Sequence, residues 1–242
     1  VDQTIELEIA SADTMYEGSR EHYFSVGQSA LHCVKAAMTA AGKSDLRNIL
    51  DFGCGFGRVL RALKASFPSA KLTACDISKE AVEFCEKTFG ARPVLSGEDS
   101  ANIQFEDTFD LIWCGTVLTQ FDAPQFSEFL ALLQSHLTRD GLLIFTTQGP
   151  FAARQLRAQA FNYGLDEKGV ATILEGYDAS GFGYADYPSA VLPLVGVAKY
   201  GVSVAKPSWV CRQIEAVPNM RLVSYTEQAW DNHQDSVACT WS

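Results

Sequence analysis

The sequence predicts an α/β fold built on a parallel sheet with crossover helices. Three observations carry that reading. The first is the stretch Asn48-Ile49-Leu50-Asp51-Phe52-Gly53-Cys54-Gly55-Phe56-Gly57-Arg58, where a short apolar run meets three alternate glycines and then an amphipathic helical pattern. The second is that strand-like and helix-like runs alternate five times between residues 48 and 146. The third is composition. At 242 residues, 47% hydrophobic and 20% charged, the chain suits one large domain, or one domain carrying a sizeable insertion.

Residues 1–25 form a polar, mixed arm in which Tyr16, Arg20, His22, Tyr23 and Phe24 lie close together. This arm is either a cover for a bound molecule or a surface extension. A helix over 26–41 follows, with Val26, Ala30, Leu31, Val34, Ala37, Met38 and Ala41 on its apolar face and Gly42 as its stop. The first strand, Ile49 to Phe52, runs into the glycine turn. Glycine there permits dihedrals closed to other residues and leaves no Cβ where a ligand must touch backbone. Val59, Leu60, Leu63 and Phe67 mark one face of the next helix.

Lys71 to Cys75 reads as a second strand ending in Asp76, 25 residues beyond Asp51. A carboxylate there can accept from both hydroxyls of a ribose, with Ile77 placed to lie against an adenine. Folds that bind nicotinamide dinucleotides share this acid, and Ser78 beside it is a good helix cap. A helix with Ala81, Val82, Cys85 and Phe89 inward precedes a short third strand, Arg92 to Leu95, and the turn Gly97-Glu98-Asp99-Ser100. Phe109 to Cys114 is the fourth strand, followed by Gly115 to Phe121. Asp122 caps a helix with Pro124 in its first turn and Phe126, Phe129, Leu130, Leu133 and Leu137 inward. Arg139-Asp140-Gly141 turns into a fifth strand, Leu142 to Thr146. Ligands of such sheets bind beyond the carboxyl ends of the strands, so Asp51, Asp76, Asp99 and the Cys114–Phe121 segment should face one crevice.

Residues 151–206 break the alternation. Between Asn162 and Gly201 there are seven glycines and five of the eight tyrosines, Tyr184 among them. An insertion so rich in aromatic residues reads as a lid or substrate wall, the alternative being a loose surface excursion. Pro207 then opens a helix, Met220 to Tyr225 is a sixth strand and Ser236 to Trp241 a seventh.

The spacing of the glycines separates two ligand classes. A dinucleotide loop wants G-x-G-x-x-G, and here Arg58 stands where the third glycine would fall. Asp51 would repel a pyrophosphate but attract an ammonium. A ligand with an amino-acid end and a nucleoside end suits the loop better.

The glycine stretch resembles motif I of the class I S-adenosylmethionine (SAM) dependent methyltransferases, an acidic residue followed by G-x-G-x-G. Phe109 to Phe121 resembles their motif IV, and Leu137 to Leu143 matches the pattern before their fifth strand. The phrases around Phe109–Gln120, Phe145–Gly149 and Trp230–Asp235 are similar to those of a bacterial type-12-like group of small-molecule methyltransferases. Gln120 and Gln148 stand where that group has histidines, whereas the Trp-Asp-Asn-His-Gln-Asp phrase is intact. The likeness covers 26–150 and 207–242.

It implies a Rossmann-like seven-stranded sheet, mostly parallel with the last strand antiparallel, and a lid or substrate insertion after strand five. Residues 26–150 would be the SAM-binding core, and 207–242 a helix and hairpin completing the sheet. It implies SAM as cofactor, with S-adenosylhomocysteine as product. The contacts implied for it are Tyr23, Asp51, Gly53, Cys54, Gly55, Arg58, Asp76, Ile77, Glu98, Asp99, Ser100, Cys114, Gly115, Thr116 and Phe121. Gln120, Gln148, Tyr184 and Trp230 are candidates for the acceptor side. The expected reaction is in-line methyl transfer to a small molecule, such as a hydroxyl of a sugar or glycan precursor. A SAM-fold protein that binds without catalysis, or partners another protein, is an alternative, and a nicotinamide-dependent oxidoreductase another.

A net charge of −10 and the lack of any Lys/Arg cluster disfavour a nucleic-acid substrate. Seven scattered cysteines, without C-x-x-C, suit buried thiols in a reducing compartment rather than zinc or disulfides. No stretch approaches the ~20 apolar residues that span a bilayer, and the acidic N-terminus does not read as a signal peptide. The expectation is a cytoplasmic protein with no membrane partner and no metal; the oligomeric state is left open. A hydroxyl acceptor requires a base. His233, between Asp231 and Asp235 in the loop after a parallel sixth strand, is the candidate. Those carboxylates should raise its pKa and fix its tautomer, unless it is a solvated hairpin residue or a structural hydrogen bond.

Overall fold

A computed structural model describes residues 5–97, 103–188 and 200–241. Its main sheet has seven strands: β1 (Asn48–Phe52), β2 (Lys71–Asp76), β3 (Arg92–Leu95), β4 (Phe109–Cys114), β5 (Leu137–Thr147), β8 (Met220–Trp230) and β9 (Gln234–Trp241), in the order β3-β2-β1-β4-β5-β9-β8. β1 to β5 pair in parallel, and β9 is antiparallel to both β5 and β8. Two reversals leave β8 running with β5, so its far end reaches the side where β1, β2 and β4 end.

Helices α1 (Arg20–Ala41), α2 (Leu60–Ser66) and α3 (Lys79–Phe89) pack on one face, and α4 (Ala123–Ser135) and α7 (Pro207–Ala216) on the other. Strand residues alternate between the two cores. Ile49, Leu72, Leu111 and Ile144 join the first, and Leu50, Cys75, Ile112 and Phe145 the second. That period-two division of the strands' apolar residues is what a sheet covered on both faces requires. Asp122 closes a capping box with Gln125 at the start of α4. α1 begins six residues before the expected Val26, because Ser19 caps it by accepting from the His22 amide.

Within 151–206 the described residues hold more structure than the composition suggests. α5 (Pro150–Arg157) and α6 (Glu167–Ser180) pack against a two-stranded antiparallel sheet of β6 (Phe182–Asp186) and β7 (Gly201–Ala205). Leu156, Tyr163, Leu165, Ile173, Tyr177, Val202 and Val204 form a separate small core. Asp166 caps α6 and Gly181 stops it in the left-handed conformation. At Gly183 a Cβ would lie 1.9 Å from the Ile173 carbonyl oxygen, so this glycine lets β6 press directly on α6. The described part of the insertion is thus a packed unit. Among the described residues no helix is long and apolar enough to cross a membrane.

Candidate functional site

The glycine turn after β1 is fixed from beneath. The Gly53 and Cys54 amides donate to the Cys75 carbonyl at 2.8 and 3.1 Å, tying the turn to the end of β2. Asp76 completes the tie, accepting from the Gly55 amide on one carboxylate oxygen (2.8 Å) and from the Ser78 amide on the other (2.9 Å). Gly53, at φ 75°, has the side chain of Val117 2.3 Å from where a Cβ would stand. Only glycine can therefore bring the loop this close to the segment after β4.

A cavity of about 260 Å³ opens above these strand ends. Gly53, Asp76, Ile77, Gly115, Thr116 and Phe121 line it, and Tyr200 closes it from the insertion. A smaller cavity of about 110 Å³ is bordered by Val26, Arg58, Trp230, Asp231, His233 and Gln234. Thr116 borders both. This β-branched residue sits at φ 69°, a left-handed conformation that costs energy and persists only where the surroundings impose it. Here they do. The Thr116 amide donates to Thr146 Oγ1 at 2.8 Å, and Thr146 Oγ1 donates to Gln234 Oε1 at 2.6 Å. Gln234 Nε2 donates back to Thr116 Oγ1 at 3.4 Å, closing a ring around the junction of the two cavities.

Asp51 lies below the loop, only 2% exposed, with Oδ2 unpartnered among the described residues. Burial, reinforced by the charge of Asp76, pushes its carboxyl up to about 8, although the Leu60 amide opposes the shift. The cradle is thus short of positive charge and bare of side chains at Gly53 and Gly115. A ligand bringing an ammonium and a nucleoside fits that chemistry.

Residues 49–141 match the family model described as a methyltransferase domain. That match supports a class I SAM-dependent methyltransferase. A malonyl-[acyl-carrier protein] O-methyltransferase of Halalkalibacterium halodurans is 29% identical over 182 residues, covering 73% of this chain and 66% of that protein. One from Bacillus cereus is 28% identical over 123 residues, covering 50% of this chain and 45% of that protein. The chain thus spans just under two thirds of the first relative's length and under half of the second's. In fold it is similar to SAM-bound CalS10, an amino pentose methyltransferase from Micromonospora echinaspora. The TM-score is 0.62 at 14% identity, over 99% of this chain and 100% of that one.

The site residues expected from sequence divide into groups. Gly53, Asp76, Ile77, Gly115, Thr116 and Phe121 gather around the larger cavity. Arg58, Trp230 and His233 border the smaller one, and the Trp230 indole donates to the Val26 carbonyl at 3.1 Å. Gly55 leaves open space where a Cβ would stand. Cys54 and Cys114 turn their thiols into the two cores, leaving only backbone for a ligand. Tyr23 lines neither cavity. It is buried, donates to Asp13 and lies beside the Arg58 and Arg61 guanidiniums.

Gln120, Gln148 and Tyr184 also stand apart from both cavities. Gln120 accepts from the Tyr187 hydroxyl at 3.4 Å, and Tyr184 donates to Asp186 at 2.7 Å. The buried Gln148 side-chain oxygen has no partner among the described residues. Glu98, Asp99 and Ser100 lie outside the described residues.

His233 corrects its expectation. Its pKa is lowered, not raised, because burial of the imidazole outweighs the opposing charge of Asp231. Asp231 lies 3.9 Å from His22. Asp235 is fully buried and accepts from the Tyr225 hydroxyl (2.6 Å) and the Gln228 amide (2.9 Å), not from His233. The ring instead meets the Tyr163 hydroxyl at 3.0 Å through Nε2 and stands edge-on to Phe151. Tyr163, Tyr200, Thr146 and Gln234 escaped the sequence reading. Gln234 alone carried a signal, standing beside His233 in an intact phrase.

Proposed function

We propose that this chain transfers a methyl group from SAM to an oxygen of a small-molecule acceptor. The observation that carries the reading is the pair of cavities meeting at the strained, clamped Thr116, beyond the ends of β1, β2 and β4. The larger cavity has the recognition chemistry for a nucleoside. Asp76 keeps a lone pair on each carboxylate oxygen beyond those given to Gly55 and Ser78, enough to accept from a ribose diol. Ile77 and Phe121 supply apolar surface for an adenine. Asp51 lines neither cavity, so it acts on an ammonium through the loop or a bridging water, and a nearby cation favours its ionised form.

SAM supplies a methyl group on a positively charged sulfur, ready for in-line displacement. What the protein adds is alignment, which accounts for much of the acceleration in such reactions. Thr116, where the nucleoside side meets the smaller cavity, marks the place where a methyl group would pass across. The relatives named as O-methyltransferases support an oxygen acceptor. A sugar or glycan hydroxyl remains part of the reading, and would require proton removal at His233.

The test is transfer of label from methyl-labelled SAM to a panel of small carboxylic acids, sugars and alcohols. Label should reach an acceptor, and Asp76→Ala should slow the transfer at limiting SAM, in step with its weaker cofactor binding. Binding of S-adenosylhomocysteine with no transfer to any small molecule would favour a non-catalytic binder.

A further inference from the structure

The contact between His233 and Tyr163 decides more than the orientation of a ring. Tyr163 belongs to the insertion, at φ 57°, with its ring edge-on to Phe161 at 4.7 Å and packed in the insertion's own core. It is 8% exposed, and its hydroxyl has His233 Nε2 as its single hydrogen-bond partner among the described residues. A neutral imidazole carries one donor and one acceptor nitrogen. If Nε2 held the proton, it would donate to the phenol oxygen and leave the phenol proton in a buried site without an acceptor. Buried donors are rarely left so. If the phenol donates instead, both groups are satisfied by one bond, and the remaining proton sits on Nδ1.

We infer that Tyr163 holds His233 in the Nδ1–H form, so that His233 meets the acceptor as a hydrogen-bond donor rather than as its base, and that the acceptor is a carboxylate. The inference rests on the acceptor side of the proposed methyl transfer. The lone pair a base would use is already engaged by Tyr163. Nδ1 has no partner among the described residues, on a ring that borders the smaller cavity. Arg58 borders the same cavity and makes no hydrogen bond or ion pair among the described residues. Asp231 also borders it, 3.9 Å from His22, and its charge reaches both Arg58 and His233, so an incoming anion must outweigh one acid at the rim. A guanidinium and an imidazole N–H, each without a hydrogen-bond partner among the described residues and each on a residue bordering one small space, suit an oxyanion.

A carboxylate needs no base. One oxygen, bound by His233 and Arg58, orients the group. The other uses its lone pair to form the O–CH3 bond while the S–CH3 bond breaks and its electrons pass to sulfur. The products are a methyl ester and a neutral thioether, and no proton moves.

The test is nitrogen NMR on histidine-labelled protein at neutral pH. Four histidines keep the spectrum simple, and His233→Gln assigns the signal. The wild-type spectrum should show Nδ1 protonated and Nε2 bare, and Tyr163→Phe should give a mixture of tautomers. With malonate as carboxylate probe and S-adenosylhomocysteine present, the Nδ1 signal should move saturably, and Arg58→Ala should weaken malonate at least tenfold. A wild-type His233 protonated on Nε2 overturns the inference. So does a signal indifferent to malonate, or an affinity indifferent to Arg58→Ala. Calorimetry with S-adenosylhomocysteine on the same wild-type sample separates the two ideas: normal cofactor binding with the wrong tautomer sinks this inference alone, and absent binding sinks the methyl-transfer reading itself.

Discussion

Asp51 and Asp76 are two acids of one site with different duties. Asp76 is held by two amides, and as a clamp it shapes the glycine turn before any ligand arrives. Asp76→Ala should weaken SAM binding by roughly 1.5–3 kcal/mol, the range for hydrogen bonds to a charged partner, read as a ten- to hundredfold rise in Kd by calorimetry. Asp51 is buried and short of partners. Its carboxyl, pushed up to about 8, binds a proton more tightly in the folded chain than unfolded, where the usual value is about 3.9. The sign follows directly. The free protein should lose stability as pH rises from about 4 to about 8, because the folded state holds a proton that the unfolded state has released. A bound ammonium favours the ionised carboxylate, so SAM should expel that proton. Calorimetry near pH 6.5, in buffers of different ionisation enthalpy, should show proton release that Asp51→Asn removes. Equal heats in all buffers would contradict this assignment.

Elements differ in how far the sequence disclosed them. β1, its glycine turn and Asp76 were legible because their signals are local: an apolar run, alternating glycines, an acid at a strand end. α6 had a capping Asp166 and a stopping Gly181 in plain view, yet the wealth of glycine and tyrosine masked them. Tyr163 was out of reach for a different reason. Its partner His233 is 70 residues away, and only packing of the insertion joins them. The direction of the His233 shift was missed for the same reason: charges can be counted along a chain, but desolvation depends on what covers the ring. As an element the insertion makes its own prediction. Gly183→Ala drives a Cβ into the Ile173 carbonyl and should destabilise the insertion by about 1–3 kcal/mol, the cost of overpacking. Limited proteolysis should then cut within 151–206 first, while S-adenosylhomocysteine binding to the core persists with Tyr200 less firmly placed. Simultaneous cleavage throughout the chain would mean that insertion and core unfold as one unit.

The whole molecule places bare glycine backbone, two acids and a strained threonine at the ends of parallel strands, and brings Tyr200 to them from a small unit that has its own core. Three hydrogen bonds tie Thr116 across β5 and β9, so the site depends on the C-terminal hairpin as well as the glycine loop. The central claim is that this crevice is built for SAM. A ligand that binds only the folded state adds about 2.7 kcal/mol at a hundredfold excess over its Kd. For a chain of this size that corresponds to a rise in melting temperature of about 5–10 °C. Thermal melting with S-adenosylhomocysteine and with NADH, each over a concentration series, measures it directly. The account predicts a saturable rise of that size with S-adenosylhomocysteine and none with NADH; equal shifts with both, or a shift with NADH alone, would contradict it.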